Sequence, residues 1–155
     1  MTDRDIIDKK EIVKMELSHL DEVIEIERSS FSDPWSYRMF VSELKSPHTI
    51  YFVALSDNKV IGYVGGWIVL NELHITNLAV AGTHRGRGIA NILLDKLFVV
   101  AIERGCDIAY LEVRASNTPA QNLYNKLGFE VAYVRKGYYT KPIEDALVMV
   151  KRLRG

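Results

Sequence analysis

The chain has 155 residues, 48% of them apolar and 26% charged, which is ordinary for a globular domain and excludes disordered and fibrous classes. Twenty Lys and Arg balance twenty Asp and Glu, so no net field draws the protein to nucleic acid or an anionic membrane, and neither is expected as a partner. The single cysteine, Cys106, cannot form an internal disulfide, and no apolar run is long enough for a signal peptide or a spanning helix, so a cytoplasmic protein is expected.

Residues 1–10 are charged and aperiodic and read as a flexible tail before one domain over 11–155. A first strand is expected near 11–17. Ser18 then reads as the cap of a helix running to about Ser30, with Leu20, Val23, Ile24 and Ile26 on its apolar face. Pro34 fixes a turn in the loop that follows, and a second short helix is expected from Ser36 to Lys45, ending before Pro47. From Ile50 to Val80, β-branched and aromatic runs alternate with turn pairs at Asp57-Asn58 and Asn71-Glu72, which predicts an antiparallel meander. Gly65-Gly66 in its middle run signals a bulge or a close backbone approach. Helical spacing returns from Gly88 to about Glu103, carried by Ile89, Ile92, Leu93, Leu97 and Val100. A strand at 108–114, a helix at 117–127 and strands at 129–135 and 145–153 complete an α+β chain with one central βαβ crossover.

The turn His84-Arg85-Gly86-Arg87-Gly88-Ile89-Ala90 lies where a strand ends and the long helix begins. Amides in a helix's first turn have no intrahelical acceptor, and the helix dipole adds positive character, so such a turn can hold a phosphate or pyrophosphate. Glycines let a ligand approach the backbone, and Arg85 and Arg87 add charge. A ligand-free glycine turn explains the pattern equally well at this point. No Gly-Lys-Ser/Thr follows, which excludes a Walker A loop, and the dinucleotide fingerprint fits only in part because Asn91 stands where its third glycine belongs.

Several further residues carry open readings. Glu112 sits mid-strand, where a carboxylate is unusual unless paired or functional, and an ion pair with Arg114 on the same face is the plain alternative. Tyr124 beside Leu123 and Leu127 reads by itself as a packing residue, Asn117 as a helix cap, and His74 as a structural or solvent-facing histidine. Phe31, Pro34, Trp35 and Tyr37 form one aromatic cluster, and Tyr138-Tyr139 another; such residues can wall a peptide groove or fold onto the core. Glu144 and Asp145 can hold an ammonium group or anchor a turn. Cys106 reads as a small packing residue.

Arg85-x-x-Gly88-x-Ala90, following Asn77-Leu78-Ala79-Val80, resembles the acetyl-CoA signature of the GNAT superfamily of N-acetyltransferases. The resemblance extends through Leu111-Glu112-Val113-Arg114-Ala115-Ser116-Asn117, Leu123-Tyr124-Asn125-Lys126-Leu127-Gly128-Phe129, Gly137-Tyr138-Tyr139 and Glu144-Asp145-Ala146, which are similar to the RimI branch and its archaeal relatives. It implies the GNAT fold, a mixed sheet of about seven strands with about four helices, and transfer of acetyl from acetyl-CoA to the α-amino group of protein N-termini, a ribosomal protein among the candidates. By the same resemblance Glu112 is the general base, Tyr124 the general acid, and His74 a residue that can face the glutamate. Leu78, Ala79, Val80, Arg85, Gly86, Arg87, Gly88, Ile89, Ala90, Asn117 and Tyr124 are implied to bind the cosubstrate, and Trp35, Tyr37, Tyr138 and Tyr139 to meet the acceptor. His74 and Glu112 are too few ligands to predict a metal. Two other functions stay open: a GNAT enzyme for lysine or small amines, and a non-catalytic acyl-CoA sensor.

Overall fold

The computed structural model describes residues 10–154; apart from Lys10, the expected tail lies outside the described residues. Seven strands form one sheet in the order β1-β2-β3-β4-β5-β7-β6: β1 (Lys10–Lys14), β2 (Thr49–Ser56), β3 (Lys59–Val69), β4 (Glu72–Val80), β5 (Ile108–Arg114), β6 (Glu130–Thr140) and β7 (Ile143–Arg152). Helices α1 (Leu20–Ser30), α2 (Tyr37–Lys45), α3 (Ile89–Glu103) and α4 (Thr118–Lys126) complete the described elements. All neighbouring strands are antiparallel except β4 and β5, which the crossover through α3 makes parallel. This is the mixed sheet expected from the resemblance.

The two faces of the sheet carry separate apolar cores. Leu93, Leu94, Leu97 and Phe98 of α3 pack with Val64, Leu73, Ile75, Leu111 and Val113 on one face. Leu20, Val23 and Ile24 of α1 and Phe40 of α2 pack with Tyr51, Val53 and Tyr63 on the other. Cys106 is fully buried in the first core, where burial pushes its thiol up, as suits a packing residue.

Several local expectations shift. Ser18 does not cap α1. A single 3-10 turn over Leu17–His19 precedes the helix, and Glu16 and His19 cap each other reciprocally. Ile92 of α3 is 45% exposed, because the buried stripe runs through Leu93 and Leu94. The strand expected at 129–135 runs on as β6 to Thr140, since a bulge between Arg135 and Tyr139 and a left-handed Gly137 absorb the irregularity. Tyr138 and Tyr139 therefore lie on a strand.

The Gly65-Gly66 pair does both things expected of it. Gly65 is paired with Asn77 and Gly66 with Ile75, so Thr76 is an extra residue on β4 with no partner on β3. Ile75 faces the α3 core, whereas Asn77 and Ala79 face the α1 side. A Cβ on Gly65 would come within 2.0 Å of the Tyr51 ring, and one on Gly66 within 2.1 Å of the His74 carbonyl oxygen. Gly66→Ala is expected to lower stability by at least about 2 kcal/mol by overpacking against backbone, whereas Gly82→Ala, whose Cβ meets nothing within 4 Å, should change it by less than about 0.5 kcal/mol. Urea-unfolding midpoints of the two variants check the contrast.

Candidate active site

Strands β4 and β5 are in register only from Glu72 to His74 and from Ile108 to Tyr110. Beyond those pairs each strand keeps its other neighbour, β3 or β7, while the two diverge from one another. A cavity of about 390 Å³ opens between them, with Ile75, Thr76, Asn77 and Leu78 on one wall and Leu111, Glu112, Val113 and Arg114 on the other. Glu27, Phe31, Ser32, Asp33 and Trp35 close it from the α1–α2 side, Asn117, Ala120 and Tyr124 from α4, and Tyr139 from β6. An interior sheet edge is unusual because its backbone groups must find partners or solvent. Here that edge lines a cavity, where an extended polar ligand can pair with it.

Glu112 is the polar centre of the cleft. Its side chain is 7% exposed, and Oε1 lies 2.7 Å from Nε2 of His74. An ionised carboxylate only accepts, so with Glu112 in that form the bond takes Nε2 as its donor. The imidazole is held in turn by stacking on Tyr110, with ring centroids 4.4 Å apart and planes 4° from parallel. Arg135 approaches the other carboxylate oxygen at 3.9 Å. The ion pair considered between Glu112 and Arg114 does not form: the guanidinium of Arg114 turns to Glu144, 3.2 Å away. His74 likewise faces Glu112 instead of taking a purely structural or solvent-facing place. Among the described residues no three His, Cys, Asp or Glu side chains come together to hold a metal ion.

Tyr124 is buried at the α4 wall, its ring packed edge-on against Phe129. Burial, and then the neighbouring Tyr139, raises its hydroxyl well above the usual phenol range, so it remains a donor at any physiological pH. Asn117 caps α4 through Oδ1, which accepts from the Ala120 amide at 3.2 Å. The glycine turn adopts the conformation its sequence suggests. Gly86 and Gly88 both have left-handed φ, 77° and 76°, Gly88 is the N-cap of α3, and the first main-chain bond of that helix runs from the Ile92 amide to Gly88. The Ile89 and Ala90 amides precede it and have no acceptor within the helix. Arg85 donates from Nε to the Val80 carbonyl, tying the turn to the end of β4. Ile89 places its side chain in the core, which leaves its backbone for the turn.

Of the aromatic residues expected at the acceptor side, Phe31, Trp35 and Tyr139 line the cavity, whereas Tyr37 and Tyr138 lie outside the lining and are 46% and 40% exposed. Glu144 and Asp145 anchor turns: Glu144 Oε2 accepts from the Ser116 amide, and Asp145 Oδ1 from the Gly137 amide at 2.9 Å. The bonds from Ser116, and then Arg114, hold the Glu144 carboxyl below its ordinary value.

Glu27 carried no signal in the sequence, where it reads as one more charge on an amphipathic helix. In the fold it is 2% exposed, accepting the Trp35 amide on Oε2 at 2.9 Å and the Tyr63 hydroxyl on Oε1. Tyr51 donates to Asn77 Oδ1 at 3.0 Å and lies 3.0 Å from the Thr76 hydroxyl. A band of buried polar groups thus underlies the bulged stretch of β4. Burial raises the Glu27 carboxyl, and the bonds from Trp35, Tyr63 and Asn77 only partly offset it.

The sequence profile described as "Acetyltransferase (GNAT) family" matches residues 20–129. The chain is 40% identical over 142 residues to a putative [ribosomal protein bS18]-alanine N-acetyltransferase of Bacillus subtilis, covering 91% of this chain and 94% of that protein. It is 35% identical over 150 residues to an N-alpha-acetyltransferase of Saccharolobus solfataricus, covering 88% and 89%. The crystal structure of the ribosomal-protein-S18-alanine N-acetyltransferase from Escherichia coli superposes with a TM-score of 0.86 at 31% identity, covering 95% of this chain and 96% of that one.

The raised Glu27 carboxyl has a definite sign for stability. Above the ordinary glutamate value of 4.5 the unfolded chain ionises first, so the native state binds more protons, and the contribution present below that pH is lost as pH rises through the raised folded value. Glu27→Gln should remove this component, so that the wild-type minus variant difference in unfolding free energy falls as pH rises from about 4 to 7. Denaturant titrations across that range measure it.

Proposed function

The chain belongs to the acetyltransferase (GNAT) family, and from that membership we propose that it transfers the acetyl group of acetyl-CoA to the α-amino group of a protein N-terminus. The observation carrying this reading is the parted β4–β5 cleft with Glu112 buried at its centre and His74 on it. Relatives named for alanine termini of ribosomal protein bS18 and for N-alpha-acetylation support a protein terminus, with a ribosomal protein as the favoured acceptor. A cytoplasmic setting belongs to the same proposal.

The residues present fit the cosubstrate. A built Cβ at Gly86 or Gly88 meets nothing within 4 Å, so the turn is open to a pyrophosphate, with Arg85 and Arg87 beside it. The free edge of β4 at Leu78, Ala79 and Val80 offers backbone groups to the amides of a pantetheine arm, in the way a strand pairs with a peptide. Asn117 and Tyr124 close the opposite wall. The cosubstrate supplies an acetyl group already activated as a thioester, so direct attack by the amine needs no covalent enzyme intermediate.

The chain's own residues then handle two protons. An α-amino group has a pKa of roughly 7.7–8.0, so a modest base suffices to keep it neutral. Glu112 takes that role, directly or across one water, while His74, pinned by Tyr110, fixes the carboxylate's orientation and shares its charge. Tyr124 gives the departing thiolate a hydrogen bond and then a proton. Its raised hydroxyl suits the place, since the apolar wall that holds the phenol neutral also disfavours a bare thiolate and makes it a stronger base. Phe31, Trp35 and Tyr139 wall the acceptor's first residue, and Tyr37 and Tyr138 belong to the rim.

Incubation with acetyl-CoA and a peptide library varied at its first two positions, followed by release of CoA, tests the assignment. Turnover of peptide α-amines is expected; turnover confined to lysine ε-amines or polyamines would move the chain to another acceptor class, and none at all would leave an acyl-CoA sensor. Glu112→Gln should lower kcat by about 10²–10⁴, as for loss of a general base, and Tyr124→Phe by a smaller factor. Acetyl-CoA affinity measured by calorimetry should stay the same in both.

A further inference from the structure

Arg114 ends β5 at the mouth of the cleft and makes an unusual set of contacts for a strand-end arginine. Nη1 donates to the Pro142 carbonyl at 3.0 Å and to Glu144 Oε1 at 3.2 Å, and Nη2 donates to the Lys141 carbonyl at 3.0 Å. Its guanidinium carbon lies 4.2 Å from the centroid of the Tyr139 ring, which lines the cavity. Only 21% of the side chain is exposed. One planar group therefore holds both carbonyls of the β6–β7 turn, the carboxylate beyond them and the aromatic wall. The Lys141 carbonyl also accepts from the Ser32 hydroxyl at 3.2 Å, which ties the same turn to the α1–α2 loop bearing Phe31 and Trp35.

We propose that Arg114 is the positioning residue of the acceptor face: it sets the β6–β7 turn and the Tyr139 ring at the height that, with the α1–α2 loop, forms the groove for the incoming peptide. This rests on the N-terminal acetyltransferase reading. A lysine is a point charge and cannot reproduce this set of bonds, because it lacks the planar fork that reaches two carbonyls and a carboxylate while lying flat on a ring. The cosubstrate side is held chiefly by the Arg114 backbone, whose carbonyl accepts from Gln121 and Asn117 at the start of α4. The side chain reaches that side only through Glu144, whose other oxygen takes the Ser116 amide.

The test is steady-state kinetics on the full chain with the best peptide of the terminus library, varying peptide and acetyl-CoA in turn. For Arg114→Lys the acceptor KM should rise about tenfold, as for loss of one charge-assisted hydrogen bond, and for Arg114→Met, which removes all three bonds of the guanidinium, by at least as much. Acetyl-CoA KM should be unchanged and kcat at saturating peptide within about twofold. Ser32→Ala removes an exposed hydroxyl that no core depends on and should raise the acceptor KM alone, by roughly twofold; it decides the matter if the arginine variants do not fold. An unchanged acceptor KM, or parallel changes in kcat and both KM values as general loosening would give, overturns the inference while peptide turnover by the wild type keeps the acetyltransferase reading. A wild type that turns over no peptide sinks both.

Discussion

The site depends on the early parting of two parallel strands. Parallel strands gain their stability from continuous ladders and from cover on both faces, yet β4 and β5 give up their ladder after His74 and Tyr110. Each strand stays paired with its other neighbour, so both walls of the opening are held by the sheet itself. The last paired residues are also chemically the most informative. His74 and Tyr110 stack across the end of the ladder, and Glu112, one pleat further along β5, is the first residue on that face to meet the gap.

Burying carboxylates around this gap is costly, and the fold manages each one differently. Glu112 has a histidine on one oxygen and an arginine at longer range on the other. Glu27 has neutral donors only, which do not offset the burial that raises its carboxyl. Glu144 lies toward solvent with an arginine and an amide and is held low. These glutamates therefore differ in what surrounds them: Glu27 and Glu112 line the cavity and Glu144 does not, and only Glu112 combines burial with a titratable partner and a position between the two walls.

Much of this was legible from residue order. The meander, the crossover helix, the glycine turn and the strand carrying Glu112 follow from periodicity and turn chemistry, which are local. Legibility ended where non-local pairing took over. Local spacing misplaced the neighbours of Glu112: Arg114, two residues away on the same face, goes to Glu144, whereas His74, far away in sequence and suggested only by the resemblance, completes the pair. β7 slots between β5 and β6, an order no hydrophobic pattern encodes. Glu27 was invisible for the same reason, since its burial depends on Trp35, Tyr63 and Asn77 arriving from three other segments. The strand expected at 129–135 fell short in the other direction: it continues to Thr140 through a bulge that a left-handed Gly137 absorbs.

The extra residue at Thr76 acts as a phase change in β4. Up to Ile75 the odd-numbered side chains belong to the α3 core; after it, Leu78 and Val80 do, and Asn77 and Ala79 belong to the α1 side. Without that one-residue offset, the amide of Asn77 would point into hydrocarbon and Leu78 would displace it from the polar band around Tyr51. Spacing between His74 and Gly88 is consequently as constrained as composition. A single insertion or deletion there exchanges the faces of everything up to the glycine turn, whereas the hairpin tips at Asp57-Asn58 and Lys141-Pro142 can change length without altering which side any strand residue sees. In this fold the tips tolerate a change of length, whereas the central strand tolerates only a change of residue.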